Sequence, residues 1–567
     1  MHTARGRGPL AALDLDADAS FDMVVIGGGI TGVCVAREAS AMGLSVLLVD
    51  KGDFGSGTSS ATTKFIHGGI RYLENLEVAV VRESLRERRI LALAAPHLVR
   101  QQRFLMPAWE WSRPAAPVIG LGIGLYGSLA YDRNRAVPAS LRIPRSEWLS
   151  KSEVERAVPW LQRKELRGAW AYYDTLNLFP ERLLLEFLFT ALDHGAVALN
   201  YCAATSLEFG EPDDDGRRAI RGVRLRDSLT GLERAVHAPL VVNAAGPWVD
   251  EVLAGIRSTV RVLRSKGVHV LLNSIGGLHQ RDAVFARAPS GGHVIVSPWM
   301  GRMLVGPTDT AMTETVDQAH AVRSDVDLVL NTLNATLSDD VPRVTVNDVM
   351  GTTVGVRPLI GAGKGETYGA SRRHEIHDHG PEGYTGLYSI LGGKWTTGRA
   401  TAEDLLQLLA RDDLLGGRSL VSTRHSAVSS AWEWAGEPQP FVDAAIARWQ
   451  GLGLDRAVIE SLFMLYGTNA EALLGLIEGD AVLGKRISSR DGVLDVAAQV
   501  VWGVAVEGAR TLADLIDRRL TIGSLGGITG QEISAIADVA APLLGVEPAT
   551  MATAETARRA AQRALWA

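Results

Sequence analysis

Four apolar residues, Met23 to Ile26, run directly into Gly27-Gly28-Gly29, and a second apolar run, Ser45 to Val49, ends in Asp50. Short runs of this kind, apolar throughout and bounded by glycine, predict buried parallel strands, and the helix formers between them predict a connecting helix. Further on, Val78 to Ala95 mixes apolar residues with Arg and Glu at helical spacing, which predicts an amphipathic surface helix. Pro180 to His194 predicts another, with proline near its start. A strand follows near Val197 to Thr205, then a turn at Asp213 to Gly216. Ile220 to Arg226 and Leu232 to His237 predict a hairpin around Ser228 to Gly231. Pro239 to Trp248 reads as an apolar strand ending in small residues, and residues 260 to 345 alternate short β-like runs (Val268 to Leu272, His293 to Pro298, Met303 to Val305) that predict an antiparallel sheet. Residues 100 to 175 carry Pro107, Pro114, Pro117, Pro138, Pro144 and Pro159 and read as irregular insertions outside the sheet core. Arg411 to Pro440 turns polar, a linker. Residues 441 to 567 are helical in period, an all-α domain whose clearest helix is Val501 to Leu520.

With 567 residues the chain has room for two to four domains, and 46% hydrophobic with 22% charged residues is ordinary globular composition. A net charge of −6 removes any global basic field, so no nucleic-acid partner is expected and an anion site must be a local cluster. Two cysteines, Cys34 and Cys202, exclude a disulfide framework and a Cys-rich metal site; no metal is expected, and a reducing cytoplasm is. The first twenty residues read as a loose tail. Ala115 to Tyr131 is the longest uncharged stretch, shorter than the ~20 residues that span a bilayer. Four glycines and Pro117 weaken it as a helix, so it is expected in the core, with a surface dipping into lipid as the sharper alternative.

Gly27, Gly29 and Gly32 form G-x-G-x-x-G between strand and helix. The first glycine makes the tight turn, the second admits a pyrophosphate to backbone N–H groups, and the third lets helix and strand pack closely. The helix N-terminus favours the phosphates, and Asp50 can accept from a ribose. This defines a dinucleotide site, FAD or NAD. Lys51 to Glu74 is dense in Gly, Ser and Thr, with hydroxyls at Ser59, Ser60, Thr62 and Thr63, then His67-Gly68-Gly69 and Arg71-Tyr72. Arg357 sits in an apolar frame, Val354 to Leu359, where an unpaired charge would be expensive. A Gly392-Gly393-Lys394 turn opens another helix, a second anion-friendly N-terminus.

Taken together, GGGITG (27–32), TSSATTKFIHGGIRYLE (58–74), NAAGPW (243–248), KGVH (266–269), GPTDT (306–310), GVRPL (355–359), SRRH (371–374), GGKWTTGR (392–399) and ARTLADLIDRRL (509–520) resemble the flavin-dependent glycerol-3-phosphate dehydrogenases. The resemblance implies an α/β architecture: a glutathione-reductase-like FAD domain, an antiparallel-sheet substrate domain and a C-terminal all-α domain. The expected boundaries are 20–100, 176–260 and 346–410 for the discontinuous FAD domain, 101–175 and 261–345 for the cap, 411–440 for the linker and 441–567 for the helical domain. It implies oxidation of sn-glycerol 3-phosphate to dihydroxyacetone phosphate, with quinone as acceptor and peripheral contact with the inner face of the cell membrane; a homodimer is the expected assembly. By position, FAD would be held by Gly27, Gly29, Gly32, Asp50, Ser59, Ser60, His67, Gly68, Gly69, Gly246, Gly393 and Lys394. Substrate would meet Arg71, Tyr72, His269, Thr308, Arg357 and Arg372, with His269, Arg357 and Lys394 as the catalytic groups. His269 is the first candidate base. Departures fall at Asp50, where Glu is frequent, and at Pro307, Thr353 and Trp395, the latter two near the expected pocket. Another polyol phosphate as substrate, a peroxide-forming oxidase and a non-catalytic flavin-bound module stay open.

Overall fold

The glycine-bounded runs become the middle of a six-stranded sheet. In the computed structural model, which describes residues 15–16, 19–289, 292–312, 314–360, 373–431 and 437–567, β1 (Met23–Ile26) pairs in parallel with β2 (Val46–Val49) and with β11 (Leu240–Asn243). Outward from these lie β7 (Val197–Leu199) on one side, and β20 (Leu387–Gly392) and the antiparallel β18 (His374–Asp378) on the other. Every residue of β1, β2 and β11 is buried, as a parallel sheet covered on both faces requires. One face packs on α1 (Ile30–Ala41), α5 (Pro180–Asp193) and α8 (Gly398–Arg411), through Val33, Phe187, Leu188 and Leu405. The other packs on a four-stranded sheet of β8 (Cys202–Phe209), β9 (Arg218–Asp227), β10 (Glu233–His237) and β19 (Tyr384–Thr385), burying Val24 and Leu47 against Val223 and Leu225. The short α6 (Val249–Val252) follows β11.

A ten-stranded, mainly antiparallel sheet stands beside this unit. It comprises β3 (Phe65–Ile66), β4 (Val99–Trp109), β5 (Glu147–Ser150), β6 (Leu166–Asn177), β12 (Leu263–Leu272), β13 (Ala283–Arg287), β14 (His293–Trp299), β15 (Arg302–Gly306), β16 (Thr310–Ala311) and β17 (Val349–Leu359). Its spine runs β16-β12-β15-β14-β13-β4-β6-β3, with β17 on β12 and β5 on β6. Two helices, α4 (Lys151–Ala157) and α7 (Arg323–Asn334), back it through Val154, Val326 and Leu330. Ahead of them in the chain, α2 (Val78–Ala94) buries Leu85 and Leu91 and turns other positions to solvent.

Several expectations fail locally. Residues 100–175 are not irregular: β4 and β6 pair antiparallel from Val99↔Asn177 to Trp109↔Leu166. Pro107 is tolerated because β13 meets β4 only at Phe104 and Leu105, so its missing N–H removes no bond from that edge. The strand expected at 197–205 is two strands in different sheets, parted at Tyr201, whose φ is 54°. Ala115 to Tyr131 is a helix after all, α3 (Ala116–Leu129), with Pro117 in its first turn, where no donor is lost. It is not core: Val118, Leu121, Leu125 and Tyr131 are exposed, and Ile123 and Tyr126 are buried. Val501 to Leu520 is not one helix. Ala497–Ala505 ends, the chain turns at Gly508 (φ 69°), and Thr511 caps a new turn, Leu512–Asp514, that continues as Leu515–Arg519. Buried Glu507 and Arg519, paired with each other across the break, also reach over the domain junction to Arg182 and Asp53.

Candidate active site

The N-terminal cradle is built by close approach. Gly27 has φ 110°, and a Cβ there would lie 2.6 Å from the Ala244 carbonyl oxygen on β11; one at Gly32 would lie 1.9 Å from the Gly27 oxygen. Only glycine permits either contact. Gly29 precedes α1 without a side chain, and Ile30 N–H, at the helix mouth, donates to Ser59 Oγ at 2.9 Å. That leaves the Ser59 hydroxyl hydrogen to donate outward. Ser60 Oγ instead donates to the Gly57 carbonyl at 3.1 Å, so it fastens its own loop. Asp50 accepts from Gly28 N (2.6 Å) and Gly52 N (2.8 Å). Burial pushes its pKa up and these two N–H groups oppose that; its oxygens keep lone pairs for a ribose. Around the cradle, the backbone at Gly246 (φ 55°) and Gly393 (φ 89°) borders open space: a Cβ at Gly246 would meet nothing within 4 Å, and one at Gly393 only His374 Cβ at 3.7 Å. A narrow glycine turn at a helix mouth, an acid at the second strand and two open glycine surfaces fit an FAD laid across the strand ends.

Strands β12 and β17 form a wall opposite. Their register sets Ser265 against Arg357, Gly267 against Gly355 and His269 against Thr353, so these six residues share one face. Gly267 and Gly355 make its shallow floor. The Arg357 guanidinium lies over Gly267, where a Cβ would be 2.3 Å from Nη2. It donates to Ser265 Oγ (3.2 Å), Asp309 Oδ1 (3.3 Å) and the Thr308 carbonyl (3.0 Å). Thr308 is committed to the fold, since its Oγ1 accepts from Val268 N at 2.9 Å. Buried His269 has Nδ1 at 3.4 Å from Thr353 Oγ1, and its Nε2 is buried without a hydrogen bond. Burial, then the charges of Arg357 and Lys64, hold its pKa down at about 3, so the imidazole is neutral at physiological pH. The wall meets the cradle directly: a Cβ on Gly355 would lie 3.0 Å from the Ala61 carbonyl, and Thr58 Oγ1 donates to the Val356 carbonyl at 2.5 Å. The loop that caps α1 through Ser59 is thus the loop against which Arg357's strand packs.

A third group gathers around residues 67–75. Gly69 (φ 74°) opens the helical turn Ile70–Asn75 that carries Arg71 and Tyr72. Lys394 donates to Ser84 Oγ on α2 at 2.5 Å and lies 4.6 Å from the Tyr72 ring centre. His67 is held below the usual imidazole pKa by burial, with Asp174 opposing and Lys394 and Arg71 reinforcing. Arg372 lies outside the described residues. Sequence reasoning missed what holds this loop: Gly68 N–H donates to Tyr126 Oη (2.8 Å), which donates to Asp174, which pairs with Arg88. Three elements supply those groups (α3, β6 and α2), and no local pattern connects them.

The cradle, its place at the strand ends of a covered parallel sheet and the facing antiparallel wall define an FAD-dependent oxidoreductase. In agreement, residues 22–408 match the family model described as FAD dependent oxidoreductase, and residues 412–551 match the C-terminal domain of alpha-glycerophosphate oxidase. The chain belongs to the FAD-dependent glycerol-3-phosphate dehydrogenase family, and FAD is its cofactor. It is 33% identical over 515 residues to the glycerol-3-phosphate dehydrogenase of Synechocystis sp., covering 89% of both chains. The aerobic glycerol-3-phosphate dehydrogenase of Staphylococcus aureus is 30% identical over 506 residues, covering 88% of this chain and 86% of that one. Among solved structures, the glycerol-3-phosphate dehydrogenase of Bacillus halodurans complexed with FAD superposes with a TM-score of 0.75 at 27% identity, covering 97% of this chain and 96% of that one.

Proposed function

We propose that this protein oxidises sn-glycerol 3-phosphate to dihydroxyacetone phosphate and passes the electrons to a quinone in the membrane. The observation that carries the reading is the β12–β17 face, where a neutral, unpartnered imidazole nitrogen and a guanidinium share a floor of two glycines. FAD supplies the two-electron acceptor for the C2 hydride. Arg357 binds the phosphate dianion, with Arg71 and Arg372 as further cations for it, and Asp309 and Ser265 keep its fork aimed. As C2–H leaves with its electron pair and C2=O forms, the hydroxyl proton goes to His269 Nε2. Tyr72 and Thr308 border the substrate. Gly27, Gly29, Gly32, Asp50, Ser59, Ser60, His67, Gly68, Gly69, Gly246 and Gly393 surround FAD, and Lys394 contributes charge beside it.

His269→Asn is expected to lower kcat about 10²-fold, the modest end for a positioned proton acceptor, with substrate binding little changed. Steady-state turnover of glycerol 3-phosphate with a dye acceptor measures it. Wild-type kcat would remove His269 from the chemistry.

What supports a membrane acceptor is α3. One side of the helix sends Tyr126 to Gly68 beside the cofactor, while the other exposes Val118, Leu121 (75% exposed) and Leu125. In the segments before and after it in the chain, Arg113, Arg135, Arg142 and Arg145 are exposed, and the one acid between residues 113 and 145, Asp132, is taken by Arg82. Apolar side chains bordered by arginine suit an anionic lipid surface. No helix among the described residues is long and apolar enough to cross a membrane. Leu121→Glu with Leu125→Glu is expected to weaken binding to vesicles of anionic phospholipid about 10²-fold. Dye-linked activity serves as the folding control. Vesicle binding at the wild-type level would move the contact elsewhere.

A further inference from the structure

The cofactor sheet's antiparallel edge carries chemistry that flavin catalysis does not use. On β18 and the turn after it, the sequence reads His377-Asp378-His379-Gly380-Pro381-Glu382. His377 near the end of β18 and His379 just past it bring their rings together, centroids 4.6 Å apart, and the tight turn Gly380–Glu382 folds Glu382 back beneath them. One ligand atom from each of the three lies within 4.8 Å of the others.

Each group is positioned by something else. His379 is fully buried; its Nε2 is 2.9 Å from Ser389 Oγ on β20, and Asn243 Nδ2 in turn donates to that hydroxyl at 3.4 Å. Its ring is therefore fixed from behind, with Nδ1 turned toward Glu382 Oε2 at 2.7 Å. Glu382 Oε1 is held by Thr259 N–H at 2.8 Å and lies 3.3 Å from His377 Nε2. That Nε2 is buried and makes no hydrogen bond. A plain histidine–glutamate hydrogen bond accounts for His379, while His377 Nε2 converges on the same carboxylate at 3.3 Å without a hydrogen bond, placing two ring nitrogens and two carboxylate oxygens around one point. A cation accounts for both rings.

We propose that His377 Nε2, His379 Nδ1 and the Glu382 carboxylate bind one divalent transition-metal ion of the zinc class. Two imidazoles and a carboxylate at this spacing are ligands for zinc rather than for calcium or magnesium, which favour oxygen. Partial exposure of the His377 and Glu382 side chains, 22% and 14%, leaves room for a water as the fourth ligand. Ser389 behind His379 and Thr259 behind Glu382 are the outer hydrogen bonds such a site needs. Thr259 lies just before β12, so the ion ties the edge of the cofactor sheet to the strand that carries His269. A cysteine count carries no signal for such a site, whose ligands are imidazole and carboxylate.

The test uses the full-length holoenzyme, stripped with a chelator and titrated with zinc chloride against a chromophoric indicator. About one equivalent is expected to bind tightly and to raise the melting temperature, as metal binding coupled to folded-state ligands requires. His377→Ala and Glu382→Gln, neither of which removes the buried ring of His379, should abolish both effects while retaining flavin. Zinc that binds the wild type and His377→Ala equally, or that leaves the wild-type melting temperature unchanged, overturns the proposal.

Discussion

Replacing Arg357 by alanine is expected to lower kcat/KM for glycerol 3-phosphate about 10³-fold, mostly through KM. That factor corresponds to about 4 kcal/mol, the range for truncating one partner of a hydrogen-bonded charge pair shielded from water. Two effects combine. A guanidinium fork to the phosphate disappears, and Asp309, which now shares its charge with Arg357 at 3.3 Å, loses that cation and repels an incoming dianion. Arg357→Lys restores the charge but not the fork held by Ser265, Asp309 and the Thr308 carbonyl, so it should recover only part of the loss. Retention of flavin by both variants would separate substrate binding from cofactor binding. A wild-type KM in Arg357→Ala would refute the phosphate assignment.

Asp53→Asn is expected to cost about 3–5 kcal/mol of stability and to weaken flavin retention, although Asp53 touches neither substrate nor glycine turn. This side chain is fully inaccessible; it accepts from Arg518 Nε at 2.6 Å and from Arg519 Nη2 at 2.8 Å, both on the last turn of the Leu515–Arg519 segment. Burial pushes its pKa up, but Arg519 and Arg518 outweigh burial and hold it at about 2. Because the folded value lies below the unfolded one, the contribution is present above about pH 4 and is lost as the pH falls toward 2. The asparagine variant loses it at every pH and takes the shared carboxylate from two buried guanidinium groups, leaving Arg518 with Asp514 and Arg519 with Glu507. The damage travels a short way: Asp53 lies two residues before Gly55, whose N–H donates to the Gly28 carbonyl at 3.0 Å in the cofactor turn. Differential scanning calorimetry and the flavin-to-protein absorbance ratio measure the two effects. The exposed Lys51–Asp317 pair is the control, since Asp317→Asn should change neither. An Asp53→Asn protein as stable as wild type would show that the helical domain does not clamp the cofactor loop.

What could be read from the sequence follows from how locally each feature is encoded. The β1–α1–β2 cradle occupies residues 23–49 and carries its own punctuation, so its apolar runs and three glycines were legible. Arg357 stood out as a candidate because of its apolar frame, which suggested burial; its side chain is in fact 22% exposed. Its actual surroundings were not legible, since Ser265 and Asp309 reach it only through strand pairing and the β15–β16 turn. The long β4–β6 ladder was hidden by proline and glycine, whose cost depends on which edge of a strand is paired. In α3 the glycines suppressed the helical signal, yet burial of just Ile123 and Tyr126 fully among its residues suffices to seat it. The break within 501–520 has a local mark, Gly508 and the Thr511–Asp514 capping box, and a distant partner set: Glu507 and Arg519 leave the helical path to meet Arg182 and Asp53 in another domain.

The strand order β18-β20-β11-β1-β2-β7 also governs how the protein is made. Met23–Ile26 leaves the ribosome early, yet its sheet is complete only when Leu387–Gly392 arrives, roughly 360 residues later. At about 5–20 residues per second that is a wait on the order of 20 to 70 s, with a wholly apolar strand short of its full set of neighbours. Until then the N-terminal strands, buried throughout in the finished sheet, have only one another to pair with.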